Sequence, residues 1–278
     1  MAYSTLMRFL PSLRYHHVLI IFLIFGTVLL SMVVAGCTSS NNLQNVYVLS
    51  LSYVSNPKLS LAASSIQLNP NITTTFAIMA TPHSDLEVRV SYLGICISQV
   101  HSQWMCSNNA LTLSNLIKLY GGIESGKQDP LNLIWIAQRF KDEMLYSGLL
   151  LTSIVLAFIS VILLSTLPSS QESQDDASDV EEGDSERPVP KPYSSRPVIK
   201  IALASLAISV LFCFISVLLQ HVASATGSAM VEALSYGTVK GKIGPAAMVL
   251  GWAGELLYFI SAAGVAVTTV AMSALVRT

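Results

Sequence analysis

Four stretches of this chain carry no charged side chain. They cover residues 18–36, 145–167, 201–219 and 256–276, and they are 19, 23, 19 and 21 residues long. A hydrocarbon layer about 30 Å thick is crossed by roughly 20 apolar residues in helical form. Each stretch meets that length. The alternative, four buried core helices of a soluble protein, would need far more covering chain than 278 residues supply. The expected fold class is an integral membrane α-helical bundle with four transmembrane helices.

Charge shows what else the chain excludes. Lys, Arg, Asp and Glu make up 11% of residues and the net charge is −1, against roughly 25% charged residues in soluble proteins. A disordered chain and a basic nucleic-acid binder are both excluded, and an ordinary cytosolic enzyme is disfavoured. Orientation follows the short-loop Lys and Arg. Arg8 and Arg14 precede the first stretch, Arg187, Lys191, Arg196 and Lys200 precede the third, and Arg277 follows the fourth. The expected topology therefore has a cytoplasmic N-terminus (1–17), helix one (18–36) and an extracellular strand-rich domain (37–143). Helix two (145–167), a disordered acidic cytoplasmic loop (168–200), helix three (201–219), a short extracellular loop (220–245) and helix four (246–276) follow. Val34-Ala35-Gly36-Cys37 also fits a bacterial lipoprotein cleavage box, but a lipoprotein with three further spans would be odd, and an uncleaved signal-anchor is preferred.

The outer segment reads as strands and then a helix. Residues 46–54 (VYVLSLSYV) and 86–92 (LEVRVSY) alternate apolar and polar positions, the period of a half-buried strand. Residues 73–79 (TTTFAIM) are β-branched and aromatic, so a third strand is expected there, after a turn at Asn69-Pro70-Asn71. Asn71-Ile72-Thr73 is an N-glycosylation acceptor pattern placed on the outer side. Leu133, Ile134, Ile136, Ala137, Phe140 and Met144 recur at helical spacing, with Asp129 as N-cap and Pro130 at the first helical position. This helix is expected to run straight into helix two.

Cys96 and Cys106 have nine residues between them, and an oxidising compartment favours a disulfide that closes a hairpin with its turn near His101 and Ser102. Zinc held by Cys96, Cys106, His83 and His101 is the sharper alternative, without the close ligand spacing such sites use. Cys37 reads as unpaired or intermolecular, and Cys213 as a packing residue of helix three.

These pieces, taken in order, resemble a known family. They are Ala35-Gly36-Cys37 closing helix one, the strand from Val46 to Tyr53, Val90 to Cys96, Trp104-Met105-Cys106-Ser107, the stretch from Asp129 to Phe140, and Gln220-His221 followed by small residues. The chain resembles the fungal calcium regulators and membrane-fusion proteins induced during mating, part of the low-affinity calcium uptake system. The resemblance implies action at the plasma membrane in mating, polarised growth and cell fusion, with Gly94, Cys96, Trp104 and Cys106 as motif residues. More distantly the chain is similar to claudin-type four-helix proteins, whose first outer loop also has a glycine and a cysteine pair. It departs from them: no Trp precedes Gly94, and Ile95 leads directly to Cys96. Paracellular-barrier function is therefore not carried over.

Glu255 is the single acid of the membrane stretches. Trp252 and Tyr258 beside it favour an interfacial position, while a bundle-facing acid would be functional. No row of polar residues is expected along a shared helix face, which argues against a pore within one chain. The eight acids between Gln171 and Glu186 read as a solvated tether. No nucleophile elbow, phosphate loop or metal helix occurs, so the expectation is a non-enzyme without cofactors. Its expected partners are membrane lipids, calcium-channel subunits or further copies of itself, and not nucleic acid. A claudin-like organiser of membrane domains without an ion role and a pore-forming channel subunit are the alternatives.

Overall fold

The fold was analysed in a computed structural model, which describes residues 15–38, 43–54, 70–80, 86–98, 104–120, 129, 131–166 and 196–275. Four helices are long and apolar enough to cross a membrane. They are α1 (Tyr15–Val34), α5 (Ser147–Ser165), α6 (Arg196–Leu234) and α7 (Pro245–Leu275). Helix α1 packs on α7 and α5, and α6 packs on α5 and α7, so the four close into a bundle. Their outward faces carry large apolar side chains such as Phe25, Val155, Phe158, Val249 and Val267. Such a surface suits a hydrocarbon solvent.

A five-stranded antiparallel sheet sits at one end of the bundle. Its strands are β1 (Leu49–Tyr53), β2 (Glu87–Val90), β3 (Ile95–Ser98), β4 (Met105–Ser107) and β5 (Val239–Ile243), in the order β4-β3-β2-β1-β5. In β2, Val88 and Val90 are buried while Glu87 and Arg89 are half-exposed, the alternation read in the sequence. Three short helices complete the fold: α2 (Pro70–Ala80), α3 (Ala110–Tyr120) and α4 (Leu133–Met144), of which α3 packs on β4 and α4 on β2 and β3.

Several expectations change. Residues 73–79 are helical rather than a strand, as part of Pro70–Ala80; Phe76 there meets Tyr236 in a tilted ring contact at 5.5 Å, and a β preference is readily overridden by context. Among its described residues the first connection thus holds more helix than strand. Residues 220–245 are not a short loop. Helix α6 runs on to Leu234, is stopped by left-handed Tyr236 and Gly237, and β5 then pairs with β1, Leu51 opposite Gly241. The sheet is therefore not confined to the first connection. Helix α4 does not run into α5: Leu145 and Tyr146 are extended and break the two apart. Asp129 is not the N-cap of α4, which begins after a left-handed Asn132. Its carboxylate instead accepts the Tyr53 hydroxyl at 2.5 Å. The acidic stretch, His83, His101 and Pro130 lie outside the described residues.

Candidate functional site

The motif residues meet where the sheet joins the bundle. Helix α1 is followed by a turn that holds Gly36 and Cys37, and Cys37 takes a left-handed backbone whose N–H donates to Leu43 O at 3.1 Å. Gly94, in the β2–β3 turn, lies against that backbone: a methyl added there would sit 2.0 Å from the Cys37 carbonyl oxygen. The Ser91 hydroxyl of the same turn donates to Val33 O at 3.2 Å. Tyr92 reaches down and donates to Gln220 Oε1 of α6 at 3.1 Å. The turn therefore pins two helices of the bundle to the sheet.

Cys37 is fully buried, so an intermolecular bridge through it is ruled out in this fold. Burial pushes its thiol up to about 12, against the opposing pull of the Arg89 charge. Burial also pushes the Tyr92 phenol up to about 12, with the Ser216 hydroxyl acting the other way. The Tyr53 phenol is raised, first by burial and then by its bond to Asp129. Each group is held in its neutral form.

Cys96 and Cys106 face each other across β3 and β4 and are joined as a disulfide. The bond takes both sulfurs from the zinc alternative. The Cys96 sulfur lies 3.5 Å from Cys37 O, a packing contact, since a disulfide sulfur has no proton to donate. On the same face of the sheet, where Arg89 is the register partner of Cys96, the Arg89 side chain is clamped. Its guanidinium lies 4.0 Å from the Trp104 ring centre and 4.8 Å from that of Tyr47. It donates to Glu87 Oε1 at 2.9 Å, Asn45 Oδ1 at 2.9 Å and Gln44 O at 3.2 Å. Gly94, Cys96, Trp104 and Cys106 thus form one cluster, a fastening rather than a reactive centre. Asn71 is apart from it, in the first turn of α2.

Below the cluster lies a feature sequence reasoning missed. Ser205, Ser209, Cys213, Ser216, Gln220 and Ser224 recur every three or four residues along α6, a shared face by helix geometry. From Ser209 onward these side chains are all buried. The expectation of no polar row is overturned. The row consists of small polar side chains scattered among apolar ones, and their shared face shows only when α6 is set against α5. Ser209 donates to Ser153 O at 2.8 Å and Ser153 returns a bond to Ser209 O at 2.9 Å. Ser205 and Ser160 both donate to Leu156 O, at 3.1 and 2.9 Å.

Glu255 of α7 stands beside Cys213 in this row. It is 6% exposed, and its Oε2 has no hydrogen-bond partner among the described residues. The carboxyl therefore faces the bundle rather than a rim. The next turn of α7 places Tyr258 in full burial, its hydroxyl 3.0 Å from Thr27 of α1. Among the described residues, no group of three His, Cys, Asp or Glu is placed to hold a metal.

Two comparisons bear on what this arrangement serves. The model of a family described as "Ca2+ regulator and membrane fusion protein Fig1" matches residues 72–271. No curated protein matches the chain. The family match takes in α2, the cluster, the serine row and Glu255.

Proposed function

Because the chain belongs to the Fig1 family of Ca2+ regulators and membrane fusion proteins, we propose that it is a multi-pass plasma-membrane protein that regulates calcium influx and membrane fusion in fungal mating, sexual development or polarised growth. The observation that carries this reading is the family match over 72–271. Four membrane-length apolar helices support the multi-pass part. The distribution of Lys and Arg supports cytoplasmic N- and C-termini, which puts the sheet and Asn71, as a glycan acceptor, outside. A sheet fastened by one disulfide above a four-helix bundle is compatible with a claudin-like arrangement.

Regulation is favoured over conduction by this chain alone. The hydroxyls of Ser153, Ser160, Ser205 and Ser209 are turned onto helix carbonyls, which ties up groups a hydrated path would need. In this reading the chain is not an enzyme and needs no cofactor. Its partners are membrane lipids, calcium-channel subunits or further copies of itself.

The test is calcium uptake in a deletion strain, with and without a mating stimulus, together with scoring of cell fusion. Reduced uptake under the stimulus and paired cells that fail to fuse are expected. Normal uptake and normal fusion in both conditions would overturn the proposal.

A further inference from the structure

We propose that the groove between α6 and α7 is a sterol site, with Glu255 accepting the sterol hydroxyl. This rests on the membrane-spanning reading given above. The groove has a volume of about 650 Å³, within the range of pockets that hold one small ligand. Its apolar walls are Ala207, Val210, Leu211 and Phe214 on α6 with Trp252, Leu256 and Phe259 on α7. The polar element is Glu255, more than nine-tenths buried, whose Oε2 lacks a partner among the described residues. A buried acceptor left unpaired is costly, and a turn of the carboxyl towards the groove that Glu255 lines lets a ligand hydroxyl satisfy it.

The order of these residues along the helices selects the ligand. Gly251 faces Val217 and Gln220, and Gln220 is the first polar residue after the apolar stretch 201–219. Glu255 lies one turn further in, about 6 Å at 1.5 Å per residue. Glu255 is thus the polar group near the sheet-side end of an otherwise apolar groove. Phe214 and Trp252 meet edge to face at 6.2 Å over the sheet-side end. From Glu255 the groove continues away from the sheet, past Leu211 and Phe259 to Ala207, with no further polar group. One hydrogen-bonding end and one rigid apolar body match a sterol. Aromatic and branched walls suit a flat, fused-ring body, which has few rotors to freeze on binding. The two flexible chains of a ceramide pay that entropy.

The full-length protein in lipid nanodiscs, treated with a photoreactive sterol, provides the test. Saturable labelling of α6 and α7 peptides is expected, displaced by unlabelled sterol. The corresponding 3-ketone, which cannot donate, should compete about tenfold less well, the effect of one buried hydrogen bond. Glu255→Met should weaken labelling by about the same factor, whereas Glu255→Gln, which keeps an acceptor oxygen, should largely retain it. Ala207→Phe should abolish labelling by filling the groove, and Val249→Trp, on an exposed face of α7 outside it, should not. An unchanged thermal unfolding midpoint in detergent verifies that each variant is folded. Non-saturable labelling, equal competition by ketone or ceramide, or labelling unchanged in Ala207→Phe would overturn the proposal. So would crosslinks between α6–α7 faces of two copies in place of sterol adducts. These outcomes are read without any calcium measurement, so they leave the regulatory reading standing. Loss of that reading would appear instead as normal uptake and fusion in the deletion strain.

Discussion

The joint between sheet and bundle and the serine row between α5 and α6 hold the molecule together by opposite means. At the joint, backbone touches backbone. Methyl groups added at Gly36, Gly94 and Gly244 would fall 2.2, 2.0 and 1.6 Å from the carbonyl oxygens of Val46, Cys37 and Tyr47. In the serine row, small side chains touch backbone through hydroxyls. A backbone contact has no rotamer with which to give way, whereas a serine can turn to another carbonyl. The joint is thus a fixed point, and the row is a surface along which two helices can readjust.

Substitutions can break that contrast. Gly94→Ala should have the largest effect, about 3 kcal/mol or more, since the atoms it meets are main chain. Thermal unfolding of the purified protein in detergent measures it, and a shift no larger than that of an exposed substitution would remove the fixed point. Removing the disulfide with Cys96→Ser and Cys106→Ser should come next, at about 2–3 kcal/mol for so short a loop. Non-reducing electrophoresis with denaturant titration reads that loss. Arg89→Lys keeps the charge but not the planar stack on Trp104, and should lose about 1–2 kcal/mol in the same titration. Pairing Ser153→Ala with Ser209→Ala should change stability least, by about 0.6–1.7 kcal/mol, as measured for interhelical hydrogen bonds in membranes. If the serine pair proves more costly than Gly94→Ala, the contrast is reversed.

Alkaline pH sharpens the same contrast. The Cys37 thiol is raised from 9.0 to about 12 by burial at the joint. The folded state therefore keeps its proton where the unfolded chain releases it. The stabilisation is complete below pH 9 and is lost as the pH rises towards 12. A maleimide should leave Cys37 unmodified at pH 8 in the folded protein and modify it after denaturation, because only the thiolate reacts. Mass spectrometry of the tryptic peptide checks this.

The bundle could be read directly because the absence of charge over 19 to 23 residues has few other causes. Strand β2 was legible for a related reason: one face of Glu87–Val90 is buried and the other is half wet. What escaped depends on partners far along the chain. Val239-Lys240-Gly241-Lys242-Ile243 shows only two lysines between apolar ends until β1 is set beside it. Helix α6 was cut short at Leu219 because the criterion was fitness for a membrane, although the Ala-rich stretch beyond it is a good helix former. At the site, the resemblance named Gly94 and Trp104, but their purpose needed coordinates. Nothing in the sequence says that Gly94 will meet the Cys37 carbonyl or that Trp104 will cover Arg89.

Helix α6 spans 39 residues without interruption, roughly 58 Å at 1.5 Å per residue, nearly twice the thickness of a hydrocarbon core. Its far part passes beneath the sheet, where Gly227 packs on Phe140 and Ser228 on Gly241. A single rod thus runs from the level of Glu255 to the strand that edges the sheet. Any twist of this rod about its own axis, however small, is delivered without slack to β5 and through it to β1. Residues beside Glu255 and residues beneath the sheet therefore move as parts of one element.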